Sequence, residues 1–282
     1  MIDSIQTAQQ IQKLILRADK RFDGFKVNAT LKFSEKECQN LSDSLKIKPW
    51  TKADFDCNGL TDLLVVGSWS DPAIICILDK GGDRFELKRI TRRSFQDCTF
   101  PLVGKNNDLI AIEYFFQSYP ERDNWNKPRQ LERKTLIYKF GDFIEANPNP
   151  SAHRIEKVEY STTMCYGTCP VFKVVINADK TAVWHAEEYN EIGGKEVKGN
   201  FKTTIDQQRF KEIIDLLNYV DFERLKSNYA VTWTDDQTST LIITYDGGKT
   251  KSITDYGLIG TYGLDRVYQL LFELRENQNW TK

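Results

Sequence analysis

A chain of 282 residues is long for one domain and comfortable for two. Its 40% hydrophobic and 12% aromatic content can build real cores, which excludes a disordered chain. Lys+Arg number 39 against Asp+Glu 40, so no global field draws it to nucleic acid or an anionic membrane, and no apolar run approaches the ~18–20 residues of a transmembrane segment.

Met1–Lys20 is polar and Gln-rich, with Ile5, Ile11, Leu14 and Ile15 at imperfect helical spacing. It lacks the apolar core of a signal peptide. Two locations stay open: cytoplasmic, or extracytoplasmic with the leader replaced by an initiator Met. Ser34 followed by Glu37 predicts a capping box opening a second short helix toward Leu45.

Pro49-Trp50 leads into Asp54–Val66, read DFDCNGLTDLLVV, the one stretch that names a ligand. Side-chain oxygens recur at Asp54, Asp56, Asn58 and Asp62, loop positions 1, 3, 5 and 9. Gly59 stands where such a loop turns sharply, and Leu60 offers its backbone carbonyl at position 7. The ion implied is Ca2+, held structurally. An EF-hand is excluded, because its bidentate Glu is replaced by Val65 and the flank Leu63–Val66 reads as a buried strand. The stretch instead resembles the calcium turn of FG-GAP and VCBS-type repeats, whose D-x-[DN]-x-[DN]-G-x-x-D loop feeds straight into a strand. It occurs once, so the resemblance implies a calcium turn and not a propeller. Three carboxylates suit a weak site, with Kd on the order of 10⁻⁴ M, adding about 1.4 kcal/mol of stability at millimolar calcium. The competing reading is a plain polar turn, since Asp, Asn and Gly dominate turns for local reasons.

Strand signals follow at Leu63–Val66, Ile74–Leu78, Phe85–Ile90, Leu109–Phe116 and Thr135–Phe140, with a hairpin turn at Lys80-Gly81-Gly82-Asp83. They predict an antiparallel β meander packed by the leading helices. Lys88, Arg89, Arg92 and Arg93 form a basic cluster, read as a solvated strand end or an anion site. Tyr114, Phe115, Phe116, Tyr119 and Trp125 run into the polar segment Ser118–Gln130, where aromatics either cover a sheet end or stack on sugar or peptide.

Glu145–His153, EANPNPSAH, cannot join a helix or a central strand. It predicts a β-rich domain over 1–147, a linker over 148–154 and a second domain over 155–282. In that domain strands are expected at Ile155–Ser161, Val171–Asn177, Thr181–Glu187 and Glu196–Lys202. A helix capped by Asp206 follows, with Phe210, Ile213, Ile214, Leu217 and Val220 on one face. Strands at Thr240–Tyr245 and Thr250–Thr254 precede a final helix carrying Leu264, Val267, Leu270, Leu271 and Leu274. The class is α+β, an antiparallel sheet covered on one face by two helices.

Six cysteines are sparse for this length. Cys38, Cys57 and Cys98 give no pairing signal, and Cys76 lies in an apolar run as a buried thiol reads. Cys165 and Cys169 lie in MCYGTCP between two strands. Gly167 can supply the tight turn a disulfide needs, and Pro170 stops it propagating. Free thiols, redox chemistry and a zinc site with His185 are the alternatives, although redox pairs use C-x-x-C at a helix start. The run Thr163–Phe172 has a C-[YF]-G-x-C-P-x-[YF] signature and resembles a bacterial domain of unknown function common in exported proteins and lipoproteins. The resemblance continues through Trp233–Asp236 and Asp255-Tyr256-Gly257. It implies extracytoplasmic placement and brings no known activity.

With His153 and His185 as the two histidines, nucleophilic triads have few candidates, and no G-x-S-x-G occurs. Asp235, Asp236 and Asp255 flank a hairpin, as turn and cap residues or as a carboxylate-based hydrolase site. The expectation is a non-catalytic extracytoplasmic binding or scaffolding protein with a protein or saccharide partner. The alternative is an enzyme, acting by redox at Cys165/Cys169 or by hydrolysis at these acids.

Overall fold

Thr7 opens the first helix, α1 (Ala8–Ala18), through a capping box. Its side chain accepts from the Gln10 amide, and the Gln10 side chain accepts from the Thr7 amide. Ile11, Leu14 and Ile15 then form one buried stripe. The second helix, α2 (Lys36–Ser44), starts from Glu35 with no side-chain cap. The box expected at Ser34 does not form, because the helix begins one residue late and leaves Glu37 a position short of the reach a box needs. The computed structural model describes residues 1–92, 96–118 and 130–282, so Arg93, Tyr119 and Trp125 lie outside the described residues. The chain divides into two compact units, Met1–Ala146 and Asn147–Lys282.

The strands of the first unit form two sheets, and successive strands pair antiparallel in both, as the expected meander requires. β1 (Lys26–Val27), β2 (Trp50–Ala53), β3 (Asp62–Ser68), β4 (Pro72–Asp79) and β5 (Phe85–Arg89) make the first. β3 pairs with β4 along one side and with both β1 and β2 along the other. Both faces of β3 and β4 are buried, which is why they read as unbroken apolar runs. Leu63, Val65, Ile75 and Ile77 share a core with the α1 stripe.

β6 (Gln96–Asn106), β7 (Leu109–Ser118), β8 (Leu131–Lys139) and β9 (Asp142–Glu145) make the second sheet, an antiparallel meander. Pro101 has no amide to donate, and it is tolerated because β6 is an edge strand. A bulge between Asp97 and Phe100, with Cys98 at φ 53, bends that strand. Of the aromatic run, Tyr114 and Phe116 are buried and stacked on each other. In the basic cluster, Lys88 pairs with Glu86 and Arg89 lies over the Trp69 ring.

The second unit is one seven-stranded sheet with helices. Its strands are β10 (Ile155–Thr162), β11 (Val171–Asn177), β12 (Thr181–Glu188), β15 (Gly199–Thr204), β16 (Asn228–Ala230), β17 (Thr238–Tyr245) and β18 (Lys249–Tyr256). β13 (Glu191–Ile192) and β14 (Lys195–Glu196) form a separate small ribbon. The order is β15-β12-β11-β10-β17-β18-β16, antiparallel except that the edge strand β16 runs parallel to β18. Burial alternates along β11, β12 and β17, as a sheet with one covered face requires. Two helices, α3 (Gln207–Tyr219) and α4 (Tyr262–Asn277), carry the apolar stripes. α4 lays Tyr268 on Tyr160 and Phe272 against Phe172. Asp206 and Thr261 cap the two helices. The stretch 148–154 is tied into this unit: Ser151 and His153 donate their amides to Asn218. Both units therefore mix helices with largely antiparallel sheets, an α+β chain, and no described helix is long and apolar enough to cross a membrane.

Candidate functional site

Ala53 pairs with Asp62 across β2 and β3, so the stretch Asp54–Thr61 is a hairpin loop. Asp54 folds it from within: one oxygen accepts the Asn58 amide at 3.0 Å and the other the Gly59 amide at 2.9 Å. Gly59 sits at φ +81, and a Cβ placed there would meet no atom within 4 Å, so its requirement is conformational alone. Phe55, 1% exposed, meets the Phe143 ring edge-on at 5.9 Å and pins the loop to the second sheet. Asp62, wholly buried at the head of β3, accepts the Phe55 and Asp79 amides, each at 2.8 Å.

Asp56 is the informative residue. Its Oδ2 accepts from the Lys80 ammonium at 2.6 Å and from Asn58 Nδ2 at 3.3 Å. Its Oδ1 is buried and has no partner, on a side chain only 4% exposed. One carboxylate oxygen each from Asp54, Asp56 and Asp62 lie within 4.8 Å of one another. No other cluster of three or more acids, histidines or cysteines is so gathered among the described residues. Asn58, expected as a ligand, gives Nδ2 to the Asp79 carbonyl at 2.7 Å and takes the Leu60 amide on Oδ1 at 2.8 Å. It braces the loop against the β4–β5 turn. The Leu60 side chain is partly exposed.

Burial pushes the Asp62 carboxyl up to about 6, although the Asp79 and Phe55 amides work in the opposite direction. Burial also works against charge on Lys80. The Asp56 hydrogen bond and the Tyr138 hydroxyl outweigh it and hold the ammonium above its usual range. Burial, then Asp54, Asp56 and Asp62, raise the Cys57 thiol, so this exposed cysteine is a poor thiolate. Three carboxylates with one buried oxygen left over could hold a metal ion.

The second constellation is the turn between β10 and β11. Cys165 and Cys169 stand at disulfide distance, with Cα atoms 5.7 Å apart and Gly167 at φ 151 between them. The Tyr166 amide donates to the Asp235 carbonyl at 2.9 Å, and Gln237 Nε2 donates to the Thr163 and Pro170 carbonyls. The turn is thereby locked to the loop before β17, while Tyr166 is 90% exposed with Met164 and Trp233 also exposed. A strand follows Cys169, so no helix N-terminus acidifies either sulfur.

The acids beside it serve turns. Asp255 is buried and accepts the Ile259 and Gly260 amides at 2.8 and 2.9 Å. Asp236 accepts the Trp233 indole N–H, and Asp235 accepts the Thr234 hydroxyl. His185 bonds Asn200 at 2.8 Å and joins no cysteine cluster among the described residues.

Lys80 and the Cys38–Cys98 pair are not signalled by the sequence. Lys80 is expected there only as a hairpin-turn residue, and nothing local reveals that this turn folds against the acidic loop. Cys38 and Cys98 stand at disulfide distance across 60 residues, with Cα atoms 5.7 Å apart. Cys76 is buried and free.

No curated protein and no solved structure matches the chain. Residues 156–275, a stretch lying wholly within the second unit, match the family model described as Domain of unknown function (DUF6438).

Proposed function

We propose that this chain is a non-catalytic, extracytoplasmic binding or scaffolding protein whose first unit holds a structural calcium ion at Asp54, Asp56 and Asp62. The observation that carries the calcium reading is the buried, partnerless Oδ1 of Asp56 beside two other converging carboxylates. A buried carboxylate oxygen left without a donor is costly, and a bound cation removes that cost. The D-x-D-x-N-G-x-x-D spacing and its likeness to FG-GAP and VCBS-type turns support the same ion. Asn58 and the Leu60 carbonyl complete the expected ligand set through small adjustments of the loop.

Two cysteine pairs at disulfide distance support an oxidising compartment, where such bonds persist. The clipped turn supports a binding role. Tyr166, Met164 and Trp233 are large side chains held outward on braced backbone, as a contact for a protein or saccharide partner requires.

The test is a calcium-dependent thermal shift on the intact chain. Wild type gains a few degrees at millimolar calcium, from a stabilisation of about 1.4 kcal/mol. Asp56→Asn, which keeps the shape and removes the charge, loses that gain. An equal shift in the variant refutes the site.

A further inference from the structure

The β4–β5 turn brings a cation of its own to the acidic loop. Lys80 Nζ lies 2.6 Å from Asp56 Oδ2 and 3.4 Å from Glu86 Oε2. It also sits 3.4 Å from the Tyr138 hydroxyl and 5.1 Å from the centre of that ring. The lysine side chain is 29% exposed and its Asp56 partner only 4%. Three carboxylates that bring oxygens within 4.8 Å of one another repel, and Lys80 bonds one of the three, Asp56.

We infer that Lys80 is a tethered rival for the ion: its ammonium neutralises Asp56 when the loop is empty and opposes calcium when it arrives. This rests on the calcium reading above. The lysine keeps the loop folded without metal and lowers its affinity for metal. Occupancy then becomes a response to calcium concentration instead of a permanent feature of the fold.

Two effects of Lys80 compete, and their sizes decide the sign. The lysine orients the Asp56 carboxylate, which favours binding. Asn58 Nδ2 holds the same oxygen at 3.3 Å, however, so orientation survives loss of the lysine. The charge has no such substitute. A unit positive charge several ångströms from a divalent ion, in screened solvent, weakens binding ~3- to 10-fold. Repulsion wins.

Calcium titration calorimetry on the full chain, at fixed ionic strength, tests this with wild type, Lys80→Met, Lys80→Gln and Lys80→Arg. Both neutral variants are expected to bind calcium ~3- to 10-fold more tightly and to melt lower than wild type in the presence of chelator. Lys80→Arg keeps the charge and stays near the wild-type affinity. Neutral variants that bind equally or more weakly, while wild type binds, overturn the rivalry and leave the calcium site standing. Lys80→Arg behaving like Lys80→Met overturns it too, because the effect is then steric. Absence of binding in all four proteins at millimolar calcium overturns both readings.

Discussion

Asp56 gives one oxygen to Lys80 and Asn58 and leaves the other buried and bare, the sharpest chemical asymmetry in the first unit. Two glycines of the same unit show how differently one residue type is required here. At Gly59 an added Cβ meets no atom within 4 Å, but the backbone is left-handed. Gly59→Ala should therefore cost about 1–2 kcal/mol of backbone strain. At Gly67 the added carbon overlaps both the Lys26 carbonyl oxygen and the Phe25 ring. Gly67→Ala should cost about 3 kcal/mol, by overpacking. Urea denaturation of both variants checks the order, and a Gly59 variant worse than the Gly67 one contradicts this account. The acidic spacing was legible because Asp54, Asp56 and Asp62 lie close together along the chain, in one loop and the first residue of the strand after it. Lys80 was not, because it reaches Asp56 through a strand register 24 residues away.

Elements legible from the chain are those whose apolar period matches a local rule. β3, β4, α3 and α4 fall where continuous runs or helical stripes put them. β6 does not, because Pro101 and the bulge at Cys98 interrupt its alternation, and both are tolerated only at a sheet edge. Missing that strand hides the start of a second sheet. The two cross-links also act at this scale, and their loops differ in length. Closing 60 residues through Cys38–Cys98 constrains the unfolded chain by about 4 kcal/mol, and closing the short Cys165–Cys169 turn by about 2 kcal/mol. Cys38→Ser/Cys98→Ser should thus lower the denaturation midpoint about twice as far as Cys165→Ser/Cys169→Ser. Equal losses in calorimetry would show that the long bridge carries less than its loop predicts.

At the scale of the molecule, two units with separate cores carry two different kinds of order. The first places charge at one loop and balances it with a lysine from the adjoining turn. The second matches a domain of unknown function and holds Tyr166 outward on a turn braced by Gln237 and the Asp235 backbone. The α+β class was readable from periodicity alone, since strand and helix patterns do not overlap in this chain. Calcium binding at this loop turns on one atom, Asp56 Oδ1. A crystal structure grown in saturating calcium should show a single ion about 2.3–2.6 Å from oxygens of Asp54, Asp56 and Asp62, with Asp56 Oδ1 among its ligands. A well-ordered loop in that crystal with Asp56 Oδ1 still bare, or bonded only to water, would contradict the account.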